Sequence, residues 1–287
     1  MTFFKILILA VIQGAAELLP VSSSAHVIVA EKLMGIDPTS PETTLLLVML
    51  HTGTMFAVIF FFFGSWKKSF FASREVFVDA VKNIASATVV TGLVGLSLKF
   101  AIEKFFLRDV PHAEIELIFG NLALISASLA TVGVLIIFSH WKSSRFSHPA
   151  AAIGLRESCW IGAVQGICLP FRGFSRSGAT ISAGMILKVS KMRAEEFSFA
   201  LAVVLTPPVI VREVLRMLRH QTPSAHGAEN LTSVFYPSLA GMAMSFVAGL
   251  LALKWLSSWL EKGRWHFFGF YCLFASAVVF GLHLYGF

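Results

Sequence analysis

Apolar residues along this chain come in runs of two lengths, and the order of the lengths recurs. The first run, 3–18, is short for a membrane crossing and is interrupted by Gln13 and Glu17. A polar loop from Pro20 to His26 separates it from a second short run, 27–34, which ends at Gly35. Three longer runs follow at 44–64, 80–101 and 115–140. Each is near the ~20 residues that a helix needs to cross the hydrocarbon. After a basic loop at 141–149 the order starts again. A short run at 155–168 leads into a polar loop that opens at Leu169-Pro170 and holds Arg172 and Arg176, and a short run at 180–189 follows. Long runs at 197–218, 234–256 and 267–287 complete the chain. Two half-length helices around a polar loop predict a re-entrant hairpin, which enters and leaves the membrane on one face.

The residues of the two hairpins repeat as well. Ala10-Val11-Ile12-Gln13-Gly14, Leu19-Pro20 and Ser22-Ser23-Ser24-Ala25 correspond to Gly162-Ala163-Val164-Gln165-Gly166, Leu169-Pro170 and Ser175-Arg176-Ser177-Gly178-Ala179. Three crossings per half is an odd number, so the second half is expected to be inverted relative to the first. The fold expected is therefore an all-α polytopic membrane protein with an inverted-topology repeat. Residues 1–287 form one membrane domain, with 1–140 as the first repeat and 150–287 as the second. Broken helices in such repeats place a site near the bilayer midplane, where the two polar loops meet.

Composition agrees with the pattern. Charged residues make up 14% of the chain, against about 25% in a soluble domain. The net charge of +7 fits basic loops on a cytoplasmic face. No basic run or aromatic-basic module points to nucleic acid. Thirteen basic residues, Lys67, Lys68, Lys142, Arg145, Lys188, Lys191 and Arg193 among them, fall on the face opposite the mouth of the first hairpin, against eight on the same face as the mouth; this modest bias predicts that the mouth faces outward. The first run has the outline of a signal peptide, yet it recurs in the second half, so we expect it to be retained. Cys159, Cys168 and Cys272 lie in apolar runs without metal spacing and read as packing residues.

Candidate chemistry gathers in the two hairpins. Gln13 and Glu17 are four residues apart, on one helical face. Ser22, Ser23, Ser24 and His26 follow directly. The second hairpin offers Ser175, Arg176, Ser177, Gly178 and Thr180. A charged group at membrane depth is costly and marks function. Arginine presents a planar fork to phosphate oxygens, glycines let backbone N–H groups converge, and hydroxyls add donors. A carboxylate can hold a divalent cation that bridges to phosphate, and histidine or serine can act as nucleophile or move a proton. Together these types suit phosphoryl transfer. Ser22 and Ser24 read equally well as caps of the helix that starts near Ala25. His51, inside a long run, reads as a packing or polar contact rather than a ligand.

Residues Gln13 to His26, with the sequence QGAAELLPVSSSAH, resemble the (E/Q)xxxE…PVSS…H motif of the bacitracin-resistance type undecaprenyl-diphosphate phosphatases. Gly173 to Ser182 resembles that family's PGxSRSGAT motif, and Glu196-Phe197-Ser198-Phe199 also matches. The resemblance covers essentially the whole chain. It implies hydrolysis of undecaprenyl diphosphate to the monophosphate in the bacterial cytoplasmic (inner) membrane, recycling the cell-wall lipid carrier and conferring bacitracin resistance, with Mg²⁺ or Ca²⁺ as cofactor. It implies catalytic roles for Glu17, Ser23, His26 and Arg176, and leaves open whether Ser23 or His26 attacks. It implies phosphate contacts from Ser22, Ser24, Ser175, Ser177, Gly178 and Thr180, and a cation at Glu17 and Gln13. The expected partners are a polyprenyl diphosphate lipid and the bilayer, and a homodimer is compatible with the pattern.

Two departures from that family pattern stand out. Gln13 replaces the acid that many members carry at this position, and an amide is a weaker cation ligand than a carboxylate. Phe171 and Arg172 intervene between Pro170 and Gly173, where the motif has no residues. Arg172 is expected either to add a phosphate contact or to snorkel to the surface. The alternative function is a transporter or flippase for a polyprenyl phosphate or small anion, because inverted repeats with broken helices are also transporter architecture. A type-2 phosphatidic acid phosphatase is excluded, since Ser182 and Ala183 stand where its histidine belongs.

Overall fold

The computed structural model describes residues 2–37, 40–106, 118–146, 152–220 and 227–286. The expected loop positions 107–114 and 147–149, and residues 115–117 at the start of the third long run, lie outside the described residues. Ten α-helices follow in order: α1 (Phe3–Leu18), α2 (Ser23–Leu33), α3 (Pro41–Phe70), α4 (Arg74–Ala101), α5 (Leu122–Ser143), α6 (Leu155–Cys168), α7 (Arg176–Ile186), α8 (Lys191–His220), α9 (Gly227–Glu261) and α10 (His266–Leu284). A π-helical turn, Ile102–Phe106, extends α4. Among the described residues, six helices are long and apolar enough to cross a membrane: Glu42–Phe70, Arg74–Phe105, Leu122–Ser143, Lys191–Arg212, Phe235–Glu261 and His266–Leu284. This is a multi-pass membrane protein.

The short helices fall into the expected pairs, α1 with α2 and α6 with α7. At 16 residues, α1 is about 24 Å long, less than the ~30 Å of a hydrocarbon core. Two of the short helices begin earlier than their apolar runs. The second begins at Ser23, not at residue 27, and the seventh at Arg176, not at residue 180. A first helical turn needs capping groups more than apolar side chains, so the polar motif residues enter the helices instead of remaining in the loops.

The chain divides into two compact units, each assembled from separated segments. One contains Met1–Leu19, His26–Phe63 and Ala202–Leu256. Its core joins Ile6, Leu9 and Ala10 of α1 to Val27 and Ala30 of α2 and Leu46 and Leu50 of α3. Helix α9 packs close to α1 and α3 at glycines. A Cβ on Gly14 would lie 2.7 Å from Ser245 O, and one on Gly53 would lie 2.3 Å from Met242 O. Ser245 Oγ donates to Leu50 O at 2.9 Å. Close approach through small residues supplies the packing that the hydrophobic effect cannot supply between helices in lipid.

The other unit contains Pro20–Ala25, Gly64–Leu201 and Ser257–Phe287. Ala87, Ile161, Ala183, Phe197 and Leu201 form a core that joins α4, α6, α7 and α8. Helices α5 and α10 exchange hydrogen bonds: Ser126 Oγ donates to Ser276 O at 3.0 Å, and Ser276 Oγ donates to Ser126 O at 2.8 Å. Trp265, fully buried, donates from Nε1 to Ser139 Oγ at 3.1 Å.

Glu196, in the first turns of α8, is buried in this second unit. Ser65 and Ser69 donate to its carboxylate, Arg193 Nη1 pairs with it at 2.8 Å, and Trp66 Nε1 donates to its carbonyl at 3.2 Å. Removing the carboxylate takes away the acceptor that Ser65, Ser69 and Arg193 share, which costs on the order of 1–3 kcal/mol. Glu196→Ala is therefore expected to lower the thermal midpoint of the detergent-solubilised protein by several degrees. A midpoint equal to the wild type's would show that the cluster contributes nothing.

Candidate active site

The loop of the first hairpin and that of the second come together in the second unit. Gly173 N–H donates to Ser24 Oγ at 3.4 Å. Gly178 lies where an added Cβ would be 3.2 Å from Pro20 Cβ, and Cys272 Sγ donates to Pro20 O at 3.2 Å. Each loop runs into a helix N-terminus. Ser22 precedes α2, and Ser175 caps α7 by accepting from Gly178 N–H at 3.3 Å. Helix N-termini carry partial positive charge and point N–H groups outward, which suits an anion.

The backbone at both loops is unusual. Ser22 has φ +68°, a left-handed conformation that costs a residue with a Cβ on the order of 1 kcal/mol. Its side chain is buried, with Oγ 3.2 Å from Ser24 Oγ. Gly173 has φ +95°, and a Cβ there would lie 2.5 Å from Ile125 O. Only glycine fits that position. Ser175 and Ser177 are both buried, with their hydroxyl oxygens 3.4 Å apart. Arg176 opens α7 with its guanidinium half-buried and Nη1 fully enclosed.

Thr180 lies one turn further into α7, fully buried. Its hydroxyl donates to Arg176 O at 2.8 Å and lies 2.6 Å from Ser198 Oγ, joining α7 to α8. Arg172 lies with its guanidinium over the Phe119 ring, 4.6 Å from the centroid. This cation–π contact holds the inserted residue within its own unit, an arrangement the sequence reading did not include. Ser23 and His26 occupy the first turn of α2, three residues apart, the spacing that places side chains on one helical face. Both are half-buried.

The acid lies in the first unit, on α1. Gln13 is buried and donates from Nε2 to Glu17 Oε2 at 3.1 Å. Its counterpart Gln165 has Leu169 four residues on in place of an acid, and donates instead to Thr91 Oγ1 at 3.1 Å. The two repeated glutamines therefore do different work. His51 of α3 faces Glu17, with Nε2 3.8 Å from Oε2. Its Nδ1 lies 2.8 Å from Leu47 O. The expectation of a packing or polar contact for His51 agrees with these neighbours, and its partner Glu17 is what the sequence does not name. No cluster of three His, Cys, Asp or Glu side chains occurs among the described residues.

The bacitracin resistance protein BacA family matches residues 6–278. The chain belongs to this family. Among its relatives, undecaprenyl-diphosphatase 2 of Acinetobacter baylyi is 56% identical over 282 residues, covering 97% of each chain. Undecaprenyl-diphosphatase 1 of Burkholderia pseudomallei is 30% identical over 297 residues, covering 98% of this chain and 97% of its own. The undecaprenyl-diphosphatase of Parabacteroides distasonis is 29% identical over 286 residues, covering 97% of each. In this BacA family member, the stretches that resemble the family motifs include both helix N-termini of the loop pair and the Gln13–Glu17 pair.

Proposed function

We propose that this protein is a membrane-embedded undecaprenyl-diphosphatase, which releases inorganic phosphate from undecaprenyl diphosphate and returns the monophosphate carrier to cell-wall synthesis. The observation that carries the reading is the meeting of the two loops at Ser24 and Gly173, in a chain 56% identical over nearly its full length to an undecaprenyl-diphosphatase. In the reaction the bond between the terminal phosphorus and the bridging oxygen breaks. The lipid monophosphate leaves with that oxygen, and water supplies the fourth oxygen of the released phosphate.

The chain's own groups have distinct parts in this scheme. Arg176 binds the terminal phosphate through its fork of donors and stabilises the charge that spreads over its oxygens. Ser175, Ser177 and the N–H groups that open α2 and α7 add donors, an electrostatic cradle organised before substrate arrives. Ser23 and His26 supply a nucleophile and a proton carrier on one face of α2. Glu17, oriented by the Gln13 amide, is a carboxylate with 20% of its side chain exposed, a hard oxygen ligand suited to a divalent cation. Glu17 and the Gln13 amide oxygen are the groups that would hold Mg²⁺ or Ca²⁺, which when bound screens the negative charge of the diphosphate. The polyprenyl tail stays in lipid, and the diphosphate enters from the outer face of the cytoplasmic membrane.

Phosphate release by the purified protein in detergent tests the proposal. Release from undecaprenyl diphosphate is expected with Mg²⁺ or Ca²⁺ and is expected to fall to background with a chelator. A folded protein that releases no phosphate under any of these conditions would overturn the hydrolase reading in favour of lipid transport. Release that continues with chelator would overturn the cation's part alone.

A further inference from the structure

We infer that His51 is a nitrogen ligand of the divalent cation held at Glu17, and that it shifts this site's preference from Mg²⁺ and Ca²⁺ toward first-row divalent ions. The inference rests on the proposed hydrolase using a cation at that carboxylate.

The tautomer of His51 follows from its neighbours. Nδ1 lies 2.8 Å from Leu47 O, and a carbonyl only accepts, so Nδ1 carries the proton. In the tautomer able to ligate a metal the lone pair is then on Nε2, which lies 3.8 Å from Glu17 Oε2. That distance is beyond a hydrogen bond. Two acceptors facing each other across such a gap are stabilised by a cation between them. Ligands bound about 2.1 Å from one ion lie at most about 4.2 Å apart, so the observed spacing accommodates an ion without moving either side chain. Metal-binding histidines characteristically donate the second ring N–H to a backbone carbonyl or carboxylate, which fixes the ring. His51 has that arrangement.

The site is accessible and its frame is rigid. The side chains of His51 and Glu17 are 41% and 20% exposed, so neither is sealed by the helix packing. Gly14, beside Gln13, and Gly53, two residues after His51, both seat on α9, and this packing fixes the spacing of the α1 and α3 backbones. Gln13 donates from Nε2 to the same Oε2, leaving its amide oxygen as the third donor. With an amide beside a single carboxylate, the site carries one negative charge. Adding an imidazole to the carboxylate and amide oxygens raises affinity for first-row divalent ions relative to Mg²⁺ and Ca²⁺, and Mn²⁺, which also accepts the oxygens, is the paramagnetic probe of such a site.

Pulsed electron paramagnetic resonance on the full-length protein in detergent, loaded with Mn²⁺, tests this. Wild type is expected to show the coupling of a directly bound imidazole ¹⁴N, and labelling with ¹⁵N-histidine is expected to convert it to the ¹⁵N pattern. His51→Gln is expected to lose the coupling and to bind Mn²⁺ about tenfold more weakly, with Mg²⁺ affinity within about twofold of wild type. Bound Mn²⁺ without nitrogen coupling in wild type would overturn the proposal, and so would coupling that persists in folded His51→Gln. The label shows that the coupled nitrogen belongs to a histidine, and a second variant, His51→Asn, is expected to lose the coupling in the same way should His51→Gln fail to fold. Phosphate release measured on the same samples separates the two readings. Nitrogen-bound Mn²⁺ in a protein that releases no phosphate would keep His51 as ligand and overturn the hydrolase. Chelator-resistant release with no Mn²⁺ bound would overturn the ligand and keep the hydrolase.

Discussion

Arg176→Ala is expected to reduce kcat/KM for phosphate release from undecaprenyl diphosphate about a thousandfold, with the protein still folded. A guanidinium that stabilises charge on a transferring phosphoryl group contributes on the order of a thousandfold or more. The substitution should spare the fold. Arg176 is the first residue of α7, where alanine is at least as good a helix former, and the cap is made by Ser175 and the Gly178 N–H. The Thr180 hydroxyl bonds to the backbone carbonyl of residue 176, not to its side chain. Arg176→Lys is expected to fall between the two, because an ammonium keeps the charge without the planar fork. Steady-state phosphate release beside a gel-filtration profile in detergent checks both variants. Wild-type turnover in a monodisperse Arg176→Ala protein would remove Arg176 from the mechanism.

Gly173→Ala is expected to abolish activity by a different route, displacement of the loop. Alanine at φ +95° is strained, at a cost of about 1–3 kcal/mol, and its Cβ would lie 2.5 Å from Ile125 O and 3.1 Å from Ile125 Cα. Those atoms belong to the first turn of α5, which cannot retreat as the tip of a flexible side chain could. The residue 171–175 loop must therefore shift, and the N–H bond to Ser24 Oγ is lost with it. The expected result is phosphate release near background and a thermal midpoint several degrees below wild type. If the variant matched wild type in both, the loop contact would be irrelevant to catalysis.

The two substitutions separate chemistry from positioning. Arg176→Ala should leave the thermal midpoint close to wild type and lose turnover. Gly173→Ala should lose both, because its effect reaches the reaction only through the geometry of the loops.

Sequence alone determined the order of short and long helices in this protein. Apolar run length is a local property: a run of about twenty residues is long enough to cross a bilayer, and the short runs, 3–18, 27–34, 155–168 and 180–189, are not. The six spans agree in place with the six long runs within several residues at most ends. The starts of α2 and α7 were less legible, because apolarity does not mark a capped first turn, and Ser23 and Arg176 are helical although polar. The motif residues were likewise readable as chemistry, since a carboxylate and an arginine among apolar residues have few uses other than function.

The tertiary structure decided what those residues touch. Gln13 and Gln165 stand in similar short stretches of sequence, yet one donates to Glu17 and the other to Thr91, because the fourth residue on is an acid in one and a leucine in the other and the facing helices differ. Arg172 rests on Phe119, 53 positions earlier in sequence. Ser24 meets Gly173 across 149 positions. His51 reaches Glu17 because Gly14 and Gly53 let α1 and α3 pack closely on α9. Hydropathy along a chain reports each residue's own preference for lipid or water. Which polar groups share a pocket depends on the close approach of helices far apart in sequence, and only packing in three dimensions sets that.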